Sequence, residues 1–334
     1  MKITRRAVAA LAALAATSTV LAGCSSGASG ATSSAPPVPI DVGYIADYNG
    51  ASLLAVADDQ DLWAKHGLAA TTKVFTNGPL QIDALGTGDL DFGYIGPGAL
   101  WLPATGKAQI IAINTLGNAD RVIAQPGITD LGSLRGKKIA VPEGTSGDMI
   151  LTLALQKAGL TEDDVQILAM DPATIVPAFV SKEVDAAGFW YPAIGTIKQQ
   201  VPDLVELAKN EDFSDEFTFP TAFVAGNDVV NNDPDTTEKA IAVLRDAIQY
   251  RSDHPQETID ATAAFLQLTP DQVASDAANS QILTLDELDA HTEDGTITSW
   301  LTALNDFFVD GGKLAEPVDP STYYRGDLFT GAGQ

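Results

Sequence analysis

Hydrophobic and polar positions along this chain switch period repeatedly. Short apolar runs at residues 40–44 and at Lys138–Val141 fit buried strands. Each is followed by a stretch with helical spacing, residues 52–65 and 147–157. Each of these ends in a Gly-Leu pair, Gly67-Leu68 and Gly159-Leu160, 92 residues apart. Glycine there is a natural helix stop. A second pattern also occurs twice: PLQIDALGTGDLDFGYIGPG from Pro79, and PATIVPAFVSKEVDAAGFWYPA from Pro172. Proline opens each predicted helix. Ala84-Leu85 matches Ala178-Phe179, and Asp89 and Asp91 match Glu183 and Asp185, all at an offset of 94. Each copy predicts a helix, a tight polar turn, and a strand starting at the second aspartate. The matched order predicts two similar α/β lobes.

Strands alternating with helices imply mostly parallel sheets with both faces covered. Ligands in such folds bind beyond the carboxyl ends of the strands. Two facing lobes would bring the loops at 46–50, 77–79, 96–98, 143–147 and 189–191 onto one cleft. This nominates Asp47, Tyr48, Asn49, Gly78, Gly96, Pro97, Glu143, Gly144, Thr145, Ser146, Trp190 and Tyr191 as ligand-binding residues. Residues 114–121 and the extended apolar run FTFPTAFV at 217–224 predict two crossings between lobes, hence a hinge. Residues 234–311 read as helical. Asp235 caps a helix through Asp253, Pro255 opens another, and Thr269-Pro270 starts a third. The stripe Trp300, Leu301, Leu304, Phe307 and Phe308 is expected to pack back onto the first lobe.

The loop at 143–147 carries the sharpest chemistry. Pro142 ends the preceding strand, Thr145 or Ser146 caps the helix, and Asp148 sits in its first turn. A helix N-terminus with free N–H groups and hydroxyls suits an oxyanion; an ordinary βα turn has the same local pattern. Trp190 and Tyr191 cover a short carbon chain or belong to the core of the second lobe. Glu143 holds an amine or is a solvated loop charge.

The first 24 residues, MKITRRAVAALAALAATSTVLAGC, have a basic start, an apolar stretch too short to span a bilayer, and small residues before Cys24. They read as an export signal over 1–23, and Leu21-Ala22-Gly23-Cys24 resembles a bacterial lipobox, with Cys24 the site of lipid attachment. Residues 24–38 are rich in Ser, Gly, Ala and Pro and read as a flexible tether. Cys24 is the only cysteine, so the remainder has no disulfide framework and no cysteine metal site or nucleophile. The chain carries 44 acidic and 19 basic residues, a formal charge of −25. Removing Lys2, Arg5 and Arg6 with the signal makes the rest more acidic still, and nucleic acid is a poor partner for such a surface. His66, His254 and His291 share no metal spacing, no Ser-His-Asp order suggests itself, and no cofactor is expected. The carboxylate pairs Asp89/Asp91 and Glu183/Asp185 repeat at helix-to-strand turns, which favours a structural role over acid–base catalysis.

Taken together, Leu62 to Leu68, Ala84 to Asp91, Asp130 to Ser146, Asp163 to Val165 and Val184 to Ala193 resemble the substrate-binding lipoproteins of ABC importers. The group in question takes up taurine, alkanesulfonates, nitrate and thiamine-precursor pyrimidines. The resemblance implies a type II periplasmic-binding-protein fold. Lobe one would comprise about 39–117 plus 225–334, and lobe two 118–224. It implies a binding protein rather than an enzyme, monomeric and held at the membrane by lipid on Cys24, which delivers a small organic anion or zwitterion to a permease with its ATPase. Taurine-binding members carry an aspartate in the hinge strand to hold the ligand amine, where this chain has Thr221, and Glu143 would have to supply that charge. An aliphatic sulfonate or amino-sulfonate is the expected solute, with an aminopyrimidine as the alternative.

Overall fold

The computed structural model describes residues 36–332; the signal, Cys24 and most of the tether lie outside the described residues. The chain opens with β1 (Val38–Ile45), one residue inside the stretch read as tether. Where one helix was expected there are two, α1 (Tyr48–Asp59) and α2 (Leu62–Lys65), separated by Asp61 at φ 53°. Then come β2 (Leu68–Phe75), α3 (Gly78–Thr87), β3 (Phe92–Ile95), α4 (Trp101–Ala104) and β4 (Gln109–Gly117). The second lobe holds β5 (Asp120–Ala124), β6 (Lys138–Val141), α5 (Ser146–Lys157), β7 (Gln166–Ala169), α6 (Pro172–Val180), β8 (Ala186–Trp190), α7 (Ala193–Gln200) and β9 (Val205–Lys209). The chain returns through β10 (Pro220–Ala225) into α8 (Asn227–Asn232), α9 (Pro234–Asp253), α10 (Pro255–Leu266) and α11 (Pro270–Ala277). It closes with β11 (Ser280–Ile282), α12 (Leu285–Glu293), α13 (Thr296–Asp310) and α14 (Gly326–Gly331). Asp233, not Asp235, caps α9, accepting from the Thr236 N–H.

Two sheets result, ordered β11-β4-β10-β3-β1-β2 and β7-β6-β8-β5-β9. They are mixed rather than mostly parallel. β1 pairs in parallel with β2 and β3, and β6 with β7 and β8. β4, β10 and β11 pair antiparallel in the first sheet, as β5 does with β8 and β9 in the second. The βα repeats supply the parallel half, because a parallel return needs a crossover helix. The strands next to the lobe crossings run directly from one sheet to the other, so they enter in the opposite sense. β10 sits in the middle of its sheet and is buried throughout.

The repeated aspartates have matching structural jobs. Asp91 Oδ2 accepts from the Asp41 N–H at 2.8 Å, and the Asp91 N–H donates to the Asp41 carbonyl at 2.9 Å. In the second lobe Asp185 Oδ2 accepts from the Lys138 N–H at 2.9 Å, and its own N–H donates to the Lys138 carbonyl at 2.8 Å. Each therefore ties the start of one strand to its neighbour. The expected stripe is also present: Leu301, Leu304, Phe307 and Phe308 of α13 are buried, in the same core as Leu100 and Leu102, and Phe307 meets Phe217 edge-on at 5.5 Å.

Asp91→Ala removes a carboxylate bond to a strand N–H, worth about 1–2 kcal/mol. Denaturant unfolding of this variant is expected to show that loss with solute affinity unchanged; a lost affinity at full stability would instead give Asp91 a role in binding.

Candidate functional site: a chamber between the lobes

The carboxyl ends of β1, β3 and β8 line a shared space between the lobes, and α1, α3 and α5, which follow β1, β2 and β6, begin there. Each start is capped locally. Asp47 Oδ1 accepts from the Gly50 N–H of α1 at 2.7 Å, Asn77 Oδ1 from the Leu80 N–H of α3 at 3.0 Å, and Thr145 Oγ1 from the Gly147 N–H of α5 at 3.3 Å. Three helix N-termini, each carrying partial positive charge, thus converge. The space they enclose is about 40 Å³, against the roughly 10–15 Å³ that one water needs.

Nine nominated residues line this chamber: Asp47, Asn49, Gly78, Gly96, Pro97, Thr145, Ser146, Trp190 and Thr221. Thr221 shares a hydrogen bond with Thr115 at 2.9 Å, joining the two strands beside the crossings. Asn49 accepts at Oδ1 from Thr115 and Ser280.

Four nominated residues lie elsewhere. Tyr48 is buried against Ala263 and Val273, away from the chamber. Glu143 is exposed and does not line it. Gly144 does not line it either: its N–H donates to Asp148 at 2.9 Å, and its carbonyl accepts the Trp101 indole N–H of lobe one at 3.4 Å. The apex of the loop is thus turned to the lobe contact. Tyr191 lies outside the chamber, its hydroxyl donating to Glu206 at 2.8 Å with Lys198 and Arg121 near its ring.

Sequence reasoning missed Asp120, which lines the chamber at the start of β5. Its carboxylate accepts from Asn210 Nδ2 at 3.1 Å and from the Ser146 hydroxyl. The local signal was a charged residue inside a crossing; what fixes it is Asn210, 90 residues away. Tyr94, inside β3, was also missed, because the nominated loop began at Gly96.

The chamber is acidic. Asp47 and Asp120 line it, and no Lys, Arg or His does. Burial pushes the Asp120 carboxyl up, opposed by its hydrogen bonds from Ser146 and Asn210. Burial also pushes Asp47 up, and the nearby Asp276 adds to this. Asp276, on α11, accepts the Tyr48 N–H at 2.7 Å and is raised by burial to about 6. A buried cation, Arg251, is only 1% exposed, and burial lowers it to about 10. It donates to Asn114 Oδ1 at 2.7 Å and to the Asn114 carbonyl at 3.0 Å, and so holds β4.

The lobes are in contact. A Cβ on Gly98 of lobe one would lie 2.2 Å from the Thr145 carbonyl oxygen of lobe two. Lys313 reaches Asp148 at 3.2 Å, and Thr76 donates to Asp171 at 3.1 Å. Outside the chamber lies a larger cavity of about 660 Å³, which shares Ile45, Asp47 and Trp190 with it as a common wall. Among the described residues no group of three or more His, Cys, Asp or Glu is arranged to hold a metal, and no helix is long and apolar enough to cross a membrane. The histidines lie away from the chamber: His66 meets Asp246 at 2.8 Å, His254 stacks on Tyr250, and His291 meets Trp300 edge-on.

The family model described as NMT1/THI5 like matches residues 51–258, more than half of the chain. The chain belongs to that family. A Brucella abortus (strain 2308) chain described only as a binding protein is 55% identical over 293 residues, covering 88% of this chain and 92% of its own. The taurine-binding periplasmic protein of Escherichia coli (strain K12) is 28% identical over 148 residues, 43% of this chain and 46% of its own. Among solved structures, the alkanesulfonate-binding protein SsuA from Xanthomonas axonopodis pv. citri, bound to MOPS, superposes with a TM-score of 0.68. It is 22% identical, over 87% of this chain and 99% of that one. The NMT1/THI5-like chain therefore has the two-lobed periplasmic-binding-protein fold, its C-terminal helices packed on lobe one.

Asp276 gives a pH test with a defined sign. A carboxyl raised in the fold from 3.8 to about 6 contributes stability below about pH 4 that is lost as the pH rises through 6. Asp276→Asn keeps an acceptor for the Tyr48 N–H and removes the charge. The solute-free variant is expected to be more stable than wild type at pH 8, by up to about 3 kcal/mol, with the gap closing by pH 4. Thermal melts across that range would show it; a gap independent of pH would contradict the assignment.

Proposed function

We propose that this chain is the extracytoplasmic receptor of an ABC importer and that its solute is a small zwitterion, an amino-sulfonate such as taurine. On this reading it is a monomer, anchored through lipid on Cys24, that hands its solute to a permease driven by an ATPase. One observation carries the choice of solute: the chamber joins helix N-termini to the carboxylates of Asp47 and Asp120 and has no basic side chain in its lining. The sulfonate would face the N-termini of α3 and α5, where N–H groups and the helix dipoles favour negative charge. The ammonium would lie at Asp47 and Asp120 in charge-assisted hydrogen bonds. Asp120, rather than Glu143 or Thr221, then answers the carboxylate that taurine-binding members use. A plain alkanesulfonate would bring a second negative charge to two buried carboxylates and nothing to offset them.

Binding without turnover is in keeping with the relatives, which are described as binding proteins. A second reading, an aminopyrimidine, draws support from Trp190 in the chamber wall, a surface on which a flat ring stacks.

Calorimetry separates the two. Taurine is expected to bind at least about a hundredfold more tightly than ethanesulfonate, and Asp120→Asn to cost taurine at least about tenfold while tightening ethanesulfonate, which loses a repelling charge. Equal affinity for both sulfonates would overturn the zwitterion. Binding of hydroxymethylpyrimidine alone would replace it with the second reading.

A further inference from the structure

Of the ion pairs among the described residues, Lys313 with Asp148 alone joins the two lobes, at 3.2 Å. The end of α13 brings the lysine there. Phe307 and Phe308 bury the last turn, and Gly312, at φ 69°, reverses the chain. The Lys313 and Leu314 N–H groups both donate to the Phe308 carbonyl, at 2.8 and 3.1 Å, and Leu314 is itself buried. The backbone of Lys313 is thus fixed, and only its side chain has to be ordered by the contact. Asp148 is the third residue of α5. Its Oδ2 accepts the Gly144 N–H at 2.9 Å and also meets the lysine. One carboxylate therefore holds the apex of the 143–147 loop and the cation of the other lobe. The Asp148 side chain is 11% exposed and that of Lys313 33%. Around them Gly98, Thr145, Glu162 and Phe308 leave a space of about 20 Å³, room for about one water.

We propose that Lys313 is a positioning residue for the solute site. Through Asp148 it holds the 143–147 loop of lobe two against lobe one, and so sets how slowly a bound solute leaves. Lys313 does not line the chamber itself. The path to the chamber is short. Asp148 holds Gly144, and the next two residues, Thr145 and Ser146, line the chamber. The Ser146 hydroxyl in turn donates to Asp120. With the lobes together, Asp148 is nearly buried and Lys313 is its only basic partner. Stripping a buried carboxylate of its partner is costly. With the lobes apart, water reaches Asp148 and an exposed pair adds little. The contact therefore favours the closed form selectively, which is what a group must do to shift the equilibrium. Its removal falls between the loss of an exposed pair and that of a fully buried one, about tenfold in the closed population. The inference rests on the receptor reading but not on the choice of solute, because the lysine touches none.

The test uses the full chain and four variants: Lys313→Met, Lys313→Arg, Asp148→Asn and the double variant Lys313→Met/Asp148→Asn. Taurine release is followed by stopped-flow tryptophan fluorescence, with Trp190 in the chamber wall as reporter. Lys313→Met is expected to speed release about tenfold, with the association rate and the melting temperature near wild type. Lys313→Arg is expected to release at close to the wild-type rate. The double variant is expected to be no faster than Lys313→Met, since both remove one interaction. Added salt is expected to speed release more from wild type than from the double variant. A merely structural lysine would lower the melting temperature and show no coupling to Asp148. An unchanged release rate in Lys313→Met, or losses that add in the double variant, would overturn the proposal. If taurine binds none of these proteins, the choice of solute fails by itself. Small-angle scattering of the solute-free proteins then decides the role of Lys313. A larger radius of gyration in Lys313→Met than in wild type upholds it, and equal radii overturn it.

Discussion

Three carboxyl groups are buried beside the inner chamber without a basic side chain to match them. Asp47, Asp120 and Asp276 are each at least nine-tenths buried, and the nearby buried guanidinium, Arg251, is committed to Asn114 and Ser52. Burying a carboxylate is costly unless it is bonded. The fold offsets part of that cost with one helix end: α1 gives the Gly50 N–H to Asp47 and the Tyr48 N–H to Asp276. Asn210 and Ser146 do the same for Asp120. These bonds hold the carboxylates in place but do not neutralise them. A solute that brings an ammonium removes the remaining penalty, so the unrelieved charge favours both binding and the closed form.

Closure makes that electrostatic term large. Gly98 lies so near the Thr145 carbonyl that no side chain fits between them, and the Trp101 and Lys313 side chains reach across to Gly144 and Asp148. A space shut in this way excludes bulk water, and interactions inside it are screened less. β10 and β4, next to the crossings, are tied through Thr115 and Thr221, and Asn114 of β4 is held by Arg251. The hinge region is therefore continuous with the core of lobe one, while the loop at 143–147 moves with lobe two. Relative motion of the lobes, rather than of loops within them, is the motion this construction permits.

Much of this was legible in the sequence because the signals were local. The offset of 94 found the two βα repeats, and the aspartates that mark it tie strand starts in both. Thr145 and the prolines at residues 79, 172, 255 and 270 open helices as their chemistry requires. Pairing sense was not legible, since an apolar run predicts a strand and not its neighbour. The site was half legible for the same reason. Loops at strand ends were found, but the direction of a side chain within a loop is set by distant contacts. Glu143 reads as the nearest free carboxylate and points to solvent, whereas Asp120 reads as part of a crossing and is held in the chamber by Asn210. Asp276, on a C-terminal helix, meets the first N–H of α1, 228 residues earlier, and nothing local to it signals that contact.

The central claim is that the solute itself supplies the missing positive charge. Native mass spectrometry of the protein loaded from a complex small-molecule extract tests it without presuming a ligand. The account predicts one bound small molecule per chain that carries a basic nitrogen and is lost in the Asp47→Asn/Asp120→Asn variant. A tightly bound molecule with no basic nitrogen, retained by that variant, would contradict it.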